Sequence, residues 1–263
     1  MIVYIMGTGR SGSTLLGGMI ASCAKSKGIH VGEINHFFDY HGKKPFLRTE
    51  WERNVQRFYD DIYVPEADYG STVFIERYVA CMLYILGVLR RPTPSYKRKT
   101  KKLLDDALNQ SKSDFLVDSS KYPLRLMWLN MMYDNVVVVR IRRKPASYYS
   151  TVAKKNDYQP RQGLIFAWLY YNIVNIMSWQ IYRKFDGTKA EIFVEDLQED
   201  YLSSIRGLFD RINIPFEENH ELTSGHVFEG NRMAAEKFIV VRGARSKNVS
   251  AGLGFLERLS WKR

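Results

Sequence analysis

The chain has 263 residues, of which 45% are hydrophobic and 14% aromatic, so it can bury a large core and does not have the composition of a disordered polypeptide. Its 39 Lys and Arg residues exceed its 28 Asp and Glu residues, which gives a formal net charge of +11. This charge predicts an anionic partner, which could be nucleic acid, an anionic membrane or a small anionic ligand. We expect one domain over residues 1–263.

Apolar runs and helical spacings alternate along the chain. The predicted strands are residues 2–6, a short strand that ends at Val31, and residues 115–117, 136–141 and 190–194. The predicted helices are residues 13 to about 26, 51–63, 72–89, 96–110, a helix from Pro123, a helix with Pro145 in its first turn, and residues 162–185 and 201–212. This order predicts an α/β fold in which a P-loop-like parallel sheet has helices on both faces and a helical insertion precedes residue 115.

The first predicted strand leads into the glycine-rich segment GTGRSGSTLL, residues 7–16. A strand, a tight turn and a helix start in series bind phosphate, because the turn directs backbone N–H groups at an anion and the helix adds unpaired amides and the positive end of its dipole. The spacing Gly7-x4-Gly12-x-Thr14 is that of a nucleotide-triphosphate P-loop. Ser13, however, stands where a P-loop carries lysine, which argues against a kinase or an ATPase.

The same segment also matches the G-x-G-x-x-G pattern of dinucleotide-binding folds over residues 7–12, and Glu33 follows about twenty residues later. An NAD(P)-dependent oxidoreductase is therefore the main alternative, and a noncatalytic nucleotide-binding module is a third. The polar side chains of the loop favour a phosphate group over a dinucleotide, since they supply one permanent charge and three hydroxyls. These side chains are Arg10, Ser11, Ser13 and Thr14.

The loop resembles the 5′-phosphosulfate-binding loop of sulfotransferases that use 3′-phosphoadenosine 5′-phosphosulfate (PAPS), especially the bacterial and Golgi-like branch, whose loop reads roughly GxxRSGTT. Five further blocks resemble the family in the same order. They are VGE at 31–33, LVDSSKYP at 116–123, VVVVRIRRKP at 136–145, FVEDL at 193–197 and GHVFEGNRM at 225–233. The resemblance covers nearly all of the chain and fits least well over the last thirty residues. It implies transfer of a sulfuryl group from PAPS to a small-molecule or carbohydrate acceptor, with release of 3′-phosphoadenosine 5′-phosphate (PAP).

The resemblance also implies a donor site made of the loop and a clamp for the 3′-phosphate. The implied cofactor-binding residues are Gly9, Arg10, Ser11, Gly12, Ser13, Thr14, Arg143, Ser150, Thr151 and Asn231. Arg140 or Arg142 could take the place of Arg143 in the clamp. The serine of the family falls at Thr151, whereas Ser150 is the nearest serine. Arg232 follows Asn231 where the family usually has proline.

Sulfuryl transfer needs a base for the proton of the acceptor and cations for the charge of the leaving phosphate. By resemblance, Glu33 is the base, and Arg10 and Lys121 are the catalytic cations. His36 is the alternative base and His226 the next candidate. We expect no metal, because the sequence shows no metal-ligand spacing and a sulfuryl group carries less charge than a phosphoryl group.

The predicted site residues follow the ends of separate predicted strands. Residues 7–14, Glu33, residues 118–121 and residues 140–143 are each placed just past a strand. In a parallel sheet the ligand crevice lies outside the carboxyl ends of the strands, so we expect these segments to converge on one cleft.

The remaining features concern partners and localisation. Residues 90–102, RRPTPSYKRKTKK, hold seven cations and form either a solvated basic face or a rim that attracts an acidic acceptor. We do not expect nucleic-acid binding, because no zinc-finger, RNP or helix-turn-helix signature accompanies the charge. Polar residues interrupt the apolar segment 164–182, so it is predicted as a buried core helix and not as a membrane span. Cys23 and Cys81 are expected to be buried free thiols, and with no signal-peptide pattern after Met1 we expect a cytoplasmic protein.

Overall fold

The computed structural model describes residues 1–34, 78–153, 163–219, 222 and 260. Its five strands are β1 (Ile2–Gly7), β2 (Gly28–Gly32), β3 (Phe115–Lys121), β4 (Val136–Arg142) and β5 (Lys189–Phe193). They form one sheet in the order β2-β3-β1-β4-β5, and every neighbouring pair is parallel. The predicted parallel sheet is therefore confirmed.

The helices within the described residues are α1 (Ser13–Ser22), α2 (Tyr78–Ile85), α3 (Pro94–Ser111), α4 (Pro123–Asn130), α5 (Pro145–Val152), α6 (Leu164–Lys184), α7 (Val194–Glu199) and α8 (Tyr201–Ile212). Helices α3, α4 and α5 each begin with proline, whose fixed φ suits the first helical position and whose missing N–H would be unsatisfied there in any case. The predicted helix at 51–63, and the part of the predicted helix 72–89 that precedes residue 78, lie outside the described residues.

Helices cover both faces of the sheet. Alternate side chains of β1 point to opposite faces, as in any strand: Ile2, Tyr4 and Met6 pack with α3, α4 and α6, whereas Val3 and Ile5 pack with α1 and α8. Because both faces are buried, β1 and the first four residues of β4 are continuously apolar, and Arg140 and Arg142 follow at the carboxyl end of β4. Helix α2 packs on α4 and α6.

Two elements end at residues that the sequence did not predict. Helix α1 stops at Ser22 and not near residue 26, because the chain then pairs with the segment after α8: the Lys25 N–H donates to the Pro215 carbonyl at 2.9 Å and the Glu217 N–H donates to the Cys23 carbonyl at 2.8 Å. Strand β5 ends at Phe193, and Val194, which was predicted as its last residue, begins α7.

Strand β3 is longer than predicted, since it continues from Val117 to Lys121. The polar residues at its end are buried and find partners there. The carboxylate of Asp118 accepts from Arg125 Nε at 2.8 Å, and Ser119 Oγ lies 3.0 Å from His30 Nε2. The sequence predicts that residues 118–120, Arg140 and Arg142 lie just past strand ends. The structure instead places them within β3 and β4.

Candidate functional site

The carboxyl ends of four adjacent strands carry most of the predicted site residues. Glu33 follows β2, Lys121 ends β3, residues 8–12 follow β1, and Arg143 follows β4. In the sheet, Met6 of β1 is paired with Lys121 on one side and with Arg140 on the other. The structure thus brings the predicted base, the predicted lysine, the glycine-rich loop and the predicted clamp to one edge of the sheet.

Two glycines of the loop are required by close packing. A Cβ on Gly7 would lie 2.5 Å from the Ile141 carbonyl oxygen, and a Cβ on Gly12 would lie 2.7 Å from a methyl carbon of Val194. Gly12 also has a φ of +86°, which side chains rarely adopt. Around Gly9, in contrast, the nearest atom to an added Cβ would be the Tyr170 hydroxyl oxygen at 3.4 Å, an ordinary contact. Close packing therefore requires glycine at positions 7 and 12 but not at position 9.

Two arginines meet at this loop. Arg143 Nη1 donates to the Arg10 carbonyl oxygen at 2.7 Å, and Arg10 Nη1 donates to the Thr151 carbonyl oxygen at 3.0 Å. Burial lowers the pKa of Arg10. Burial also lowers the pKa of Arg143; the carboxylate of Glu195 opposes this effect, and the charge of Arg10 adds to it. Two partly desolvated cations beside one loop favour an anionic ligand, because a negative charge would offset the desolvation of both and the repulsion that Arg143 experiences from Arg10.

The other two candidate clamp arginines contact a carboxylate of the neighbouring strand. Arg140 Nη1 and Arg142 Nη1 donate to the two carboxylate oxygens of Glu191 in β5, at 2.7 and 3.0 Å. Arg143 binds the loop and also donates from Nε to Ser147 Oγ at 2.9 Å. Of the three arginines, Arg143 is the one bonded both to the loop and to α5, so the geometry favours Arg143 for the clamp.

The hydroxyls predicted for the clamp lie on α5. Ser150 Oγ and Thr151 Oγ1 both donate to the Ser147 carbonyl oxygen, at 3.0 and 2.9 Å. Either hydroxyl would have to leave this bond in order to donate to a phosphate. The Thr151 carbonyl, which binds Arg10, nevertheless places this turn of α5 against the loop.

The loop also contains a buried hydroxyl without a partner. Ser11 Oγ makes no hydrogen bond within the described part of the chain, although Ser11 is fully buried. Leaving such a group unsatisfied costs about 1–3 kcal/mol, so a ligand or water is expected to bond to it. Ser13 and Thr14 are buried beside it, in the first turn of α1. These residues suit a phosphate or phosphosulfate group.

The predicted base and the predicted lysine form an ion pair. Lys121 Nζ donates to Glu33 Oε1, and the two side chains are largely buried. Lys121 has a φ of +72°, an uncommon left-handed conformation for a residue with a side chain. Such conformations persist when the surroundings enforce them, and they are enriched at functional sites.

Two tyrosines of the site have no signal in the sequence. The Gly9 N–H donates to Tyr170 Oη at 3.4 Å, and Tyr170 Oη lies 3.0 Å from Tyr78 Oη. Burial raises the pKa of Tyr78 well above its ordinary range, so its hydroxyl stays neutral. The Tyr78 ring also contacts that of Tyr122, the residue after Lys121, with centroids 5.7 Å apart. The pair therefore connects the loop with the region of the Glu33–Lys121 ion pair.

Some predicted residues cannot be placed. His36, His226, Asn231 and Arg232 lie outside the described residues. Within the described ranges, no group of three or more His, Cys, Asp or Glu side chains is arranged to hold a metal ion.

Comparison with solved structures identifies the fold. The sulfotransferase domain from the curacin biosynthetic pathway has a TM-score of 0.56 and 15% identity, with 99% of this chain and 98% of that domain covered. The sulfotransferase domain from the Synechococcus PCC 7002 olefin synthase has a TM-score of 0.52 and 17% identity, with 98% and 93% covered. No protein-family model and no curated protein matches the sequence. The chain therefore has the α/β fold of sulfotransferase domains, as its sequence predicted.

Proposed function

We propose that this protein is a sulfotransferase that moves the sulfuryl group of PAPS to a hydroxyl or amine of a small-molecule or carbohydrate acceptor and releases PAP. One observation carries the proposal: a glycine-rich loop that contains the buried Arg10 and accepts a hydrogen bond from Arg143 lies on the same sheet edge as a carboxylate–lysine pair. The sulfotransferase fold supports it. We also propose that residues 1–263 act as one domain.

In this proposal the loop and α5 hold the donor. Backbone N–H groups from Gly9 to Thr14, the Arg10 guanidinium and the hydroxyls of Ser11 and Ser13 bind the 5′-phosphosulfate. Arg143 binds the 3′-phosphate, and Ser150 and Thr151 donate to it from the next turn. The proposed contributions of Gly12 and Asn231 rest on the family resemblance. No metal takes part.

The proposed transfer step gives Glu33 and Lys121 separate roles, which their ion pair at the sheet edge supports. Glu33 takes the proton of the acceptor hydroxyl while the acceptor oxygen bonds to sulfur, and the bond from sulfur to the 5′-phosphate oxygen breaks with its electron pair on that oxygen. Arg10 and the loop amides stabilise the charge on the departing phosphate. Lys121 has three N–H donors, so it can bind the sulfuryl oxygens while it keeps its bond to Glu33.

The strand order argues against the NAD(P)-dependent alternative. In the classic dinucleotide-binding order the second strand lies next to the first, and an acidic residue near its end binds the ribose. Here β3 lies between β1 and β2, and Glu33, which follows β2, binds Lys121. Glu33 thus does not have the position that ribose recognition requires.

Calorimetry with PAP and with NAD tests the proposed function. PAP is expected to bind and to raise the melting temperature without added metal, and NAD is not. Turnover of labelled PAPS with a panel of acceptors then separates an enzyme from a noncatalytic binding module. Binding of NAD instead of PAP, or an absolute requirement for magnesium, would contradict the proposal.

We expect Arg10→Ala to reduce PAP affinity or turnover by about ten- to a hundredfold, because a charge-assisted hydrogen bond to a phosphate contributes about 1.5–3 kcal/mol. Calorimetry and initial rates measure the effect. Arg206→Ala, which removes an exposed arginine from α8, is the matched control and should change neither quantity. If Arg10→Ala behaves like the control, Arg10 does not bind the donor.

The clamp prediction concerns selectivity. Arg143→Ala should discriminate less than the wild type between PAP and adenosine 5′-phosphate, because only PAP carries the 3′-phosphate. Competition binding with both nucleotides gives the ratio. Arg142→Ala, in the adjacent position, should keep the preference. If Arg142→Ala loses the preference and Arg143→Ala keeps it, the clamp is Arg142.

Tyr170→Phe should weaken PAP binding by about three- to tenfold, the effect of one net hydrogen bond of about 0.5–1.5 kcal/mol. The hydroxyl holds the Gly9 N–H in place and can itself donate to an anionic oxygen. Tyr78→Phe removes a hydroxyl that bonds to Tyr170, so its effect should be smaller. Tighter PAP binding by Tyr170→Phe would show instead that the Tyr170 hydroxyl competes with the ligand for the Gly9 N–H.

A further inference from the structure

Helix α6 is predicted from the sequence as a buried core helix, but the structure buries only one side of it. One side of it packs against the core through Ala167, Tyr171, Val174 and Ile181. The other side exposes large apolar residues: Ile165, Phe166, Leu169, Ile173 and Ile176. Ile165 is 74% exposed. The spacing of three and four residues places this set on one face of the helix. No charged residue occurs between positions 164 and 182.

Helix α2 and the turn after it also expose large apolar side chains. The set is Val79, Met82, Leu83, Leu86 and Val88. Leu86 and Val88 are 68% and 70% exposed. The two helices are in contact, since Tyr78 Oη lies 3.0 Å from Tyr170 Oη and Lys184 Nζ lies 5.9 Å from the centroid of the Tyr84 ring. We call the exposed residues of α2, its following turn and α6 the apolar face. Exposed apolar areas of this kind generally mark an interaction site.

A basic segment borders the apolar face. Residues 90–102 begin two positions after Val88 and carry the exposed cations Arg90, Arg91, Lys97, Arg98, Lys101 and Lys102. Helix α3, which carries four of them, packs on the same side of the sheet as α4 and α6. No Asp or Glu occurs between positions 78 and 104. Asp105 and Asp106 form ion pairs with Lys101 and Lys102, so these carboxylates offset positive charge at the C-terminal end of the basic segment.

We propose that the apolar face and the basic segment together dock on the surface of an anionic lipid bilayer. Apolar side chains of a protein that lies on a membrane enter the boundary between headgroups and acyl chains, and neighbouring Lys and Arg side chains bind the anionic headgroups. The charge of the segment matches this partner. Among the described residues no helix is long and apolar enough to cross a bilayer. The proposal does not depend on sulfuryl transfer.

Co-sedimentation of the full chain with vesicles tests the proposal. Binding to vesicles of phosphatidylcholine that contain phosphatidylserine should exceed binding to phosphatidylcholine alone by at least about tenfold, and added salt should weaken it. Equal binding to both kinds of vesicle, or no binding to either, would overturn the proposal.

Two double variants separate the apolar and charged contributions. Leu86→Ser with Val88→Ser should reduce binding by about tenfold or more, since two exposed apolar side chains no longer enter the bilayer. Arg90→Gln with Arg91→Gln should reduce it by about thirtyfold, as expected for two cations near an anionic surface. All four residues are exposed, so the melting temperature should stay unchanged.

The matched control is Lys25→Gln with Arg206→Gln. It removes the same charge from the opposite side of the sheet, beside α1 and on α8, and should bind vesicles like the wild type. If this control loses as much binding as Arg90→Gln with Arg91→Gln, only the net charge matters and the proposed surface is wrong. A dimer in sedimentation that fails to bind vesicles and that Leu86→Ser with Val88→Ser dissociates would identify the face as a contact between two copies, and would also overturn the proposal.

Discussion

Glu33→Gln is expected to lower turnover by about 10² to 10⁴ while PAP affinity stays near that of the wild type. Glutamine keeps the size of the side chain and can still bind Lys121, but it cannot accept the proton of the acceptor. Since the loop and the proposed clamp are untouched, donor binding should not change. Initial rates with PAPS and calorimetry with PAP measure the two effects.

The ion pair calls for a control, because Glu33→Gln also removes the negative charge that pairs with Lys121. Lys121→Gln breaks the same pair and leaves the carboxylate. If Glu33 is the base, the acidic limb of the pH–rate profile should persist in Lys121→Gln and disappear in Glu33→Gln. If turnover survives in Glu33→Gln and collapses in His36→Ala, the histidine is the base. If neither change matters for a hydroxyl acceptor, His226 is tested next.

The loop could be predicted because its signals are local. An apolar run gives β1, the glycines mark the turn, and α1 begins at Ser13 as expected. The meeting of Glu33, Lys121 and Arg143 at one edge also followed from sequence, since the carboxyl ends of parallel strands share an edge. Which residues act in donor binding and transfer is still a prediction, because the structure shows their positions and not their action.

The bond between Tyr170 and Gly9 could not be predicted in the same way. The two residues are 161 positions apart, and their contact depends on how α6 packs beside the loop. The apolar spacing of α6 shows that the helix has a buried side. It does not show that Tyr170 reaches the loop, or that Ile165 and Phe166 remain exposed.

The end of β3 was mispredicted because the partners of its polar residues come from other elements. Local propensity places Asp118 and two serines in a turn, and tertiary contacts override that preference. Arg125 from α4 and His30 from β2 supply the partners. The DSSK block therefore divides in two: its first three residues are buried and bonded within the fold, whereas Lys121 binds Glu33 at the site.

This division predicts that Asp118→Ala will lower the free energy of unfolding by about 3–5 kcal/mol, the usual cost of leaving one member of a buried ion pair alone. Arg125 Nε donates to Asp118 Oδ2 at 2.8 Å, and the two side chains are 2% and 0% exposed. The variant also loses the bonds that Ser120 N and Oγ donate to Asp118 Oδ1, at 2.9 and 2.5 Å. Denaturant unfolding followed by fluorescence measures the difference.

Asp106→Ala is the matched control, because Asp106 forms its ion pair with Lys102 on the exposed side of α3. Exposed pairs contribute about 0–1 kcal/mol, so this variant should unfold nearly like the wild type. Asp118→Leu combined with Arg125→Met should recover much of the loss, since no buried charge then lacks a partner. If Asp118→Ala and Asp106→Ala cost the same small amount, Asp118 does not stabilise the end of β3. Its conformation, and with it the position of Lys121, would then depend on the pairing of β3 with β1 and β2.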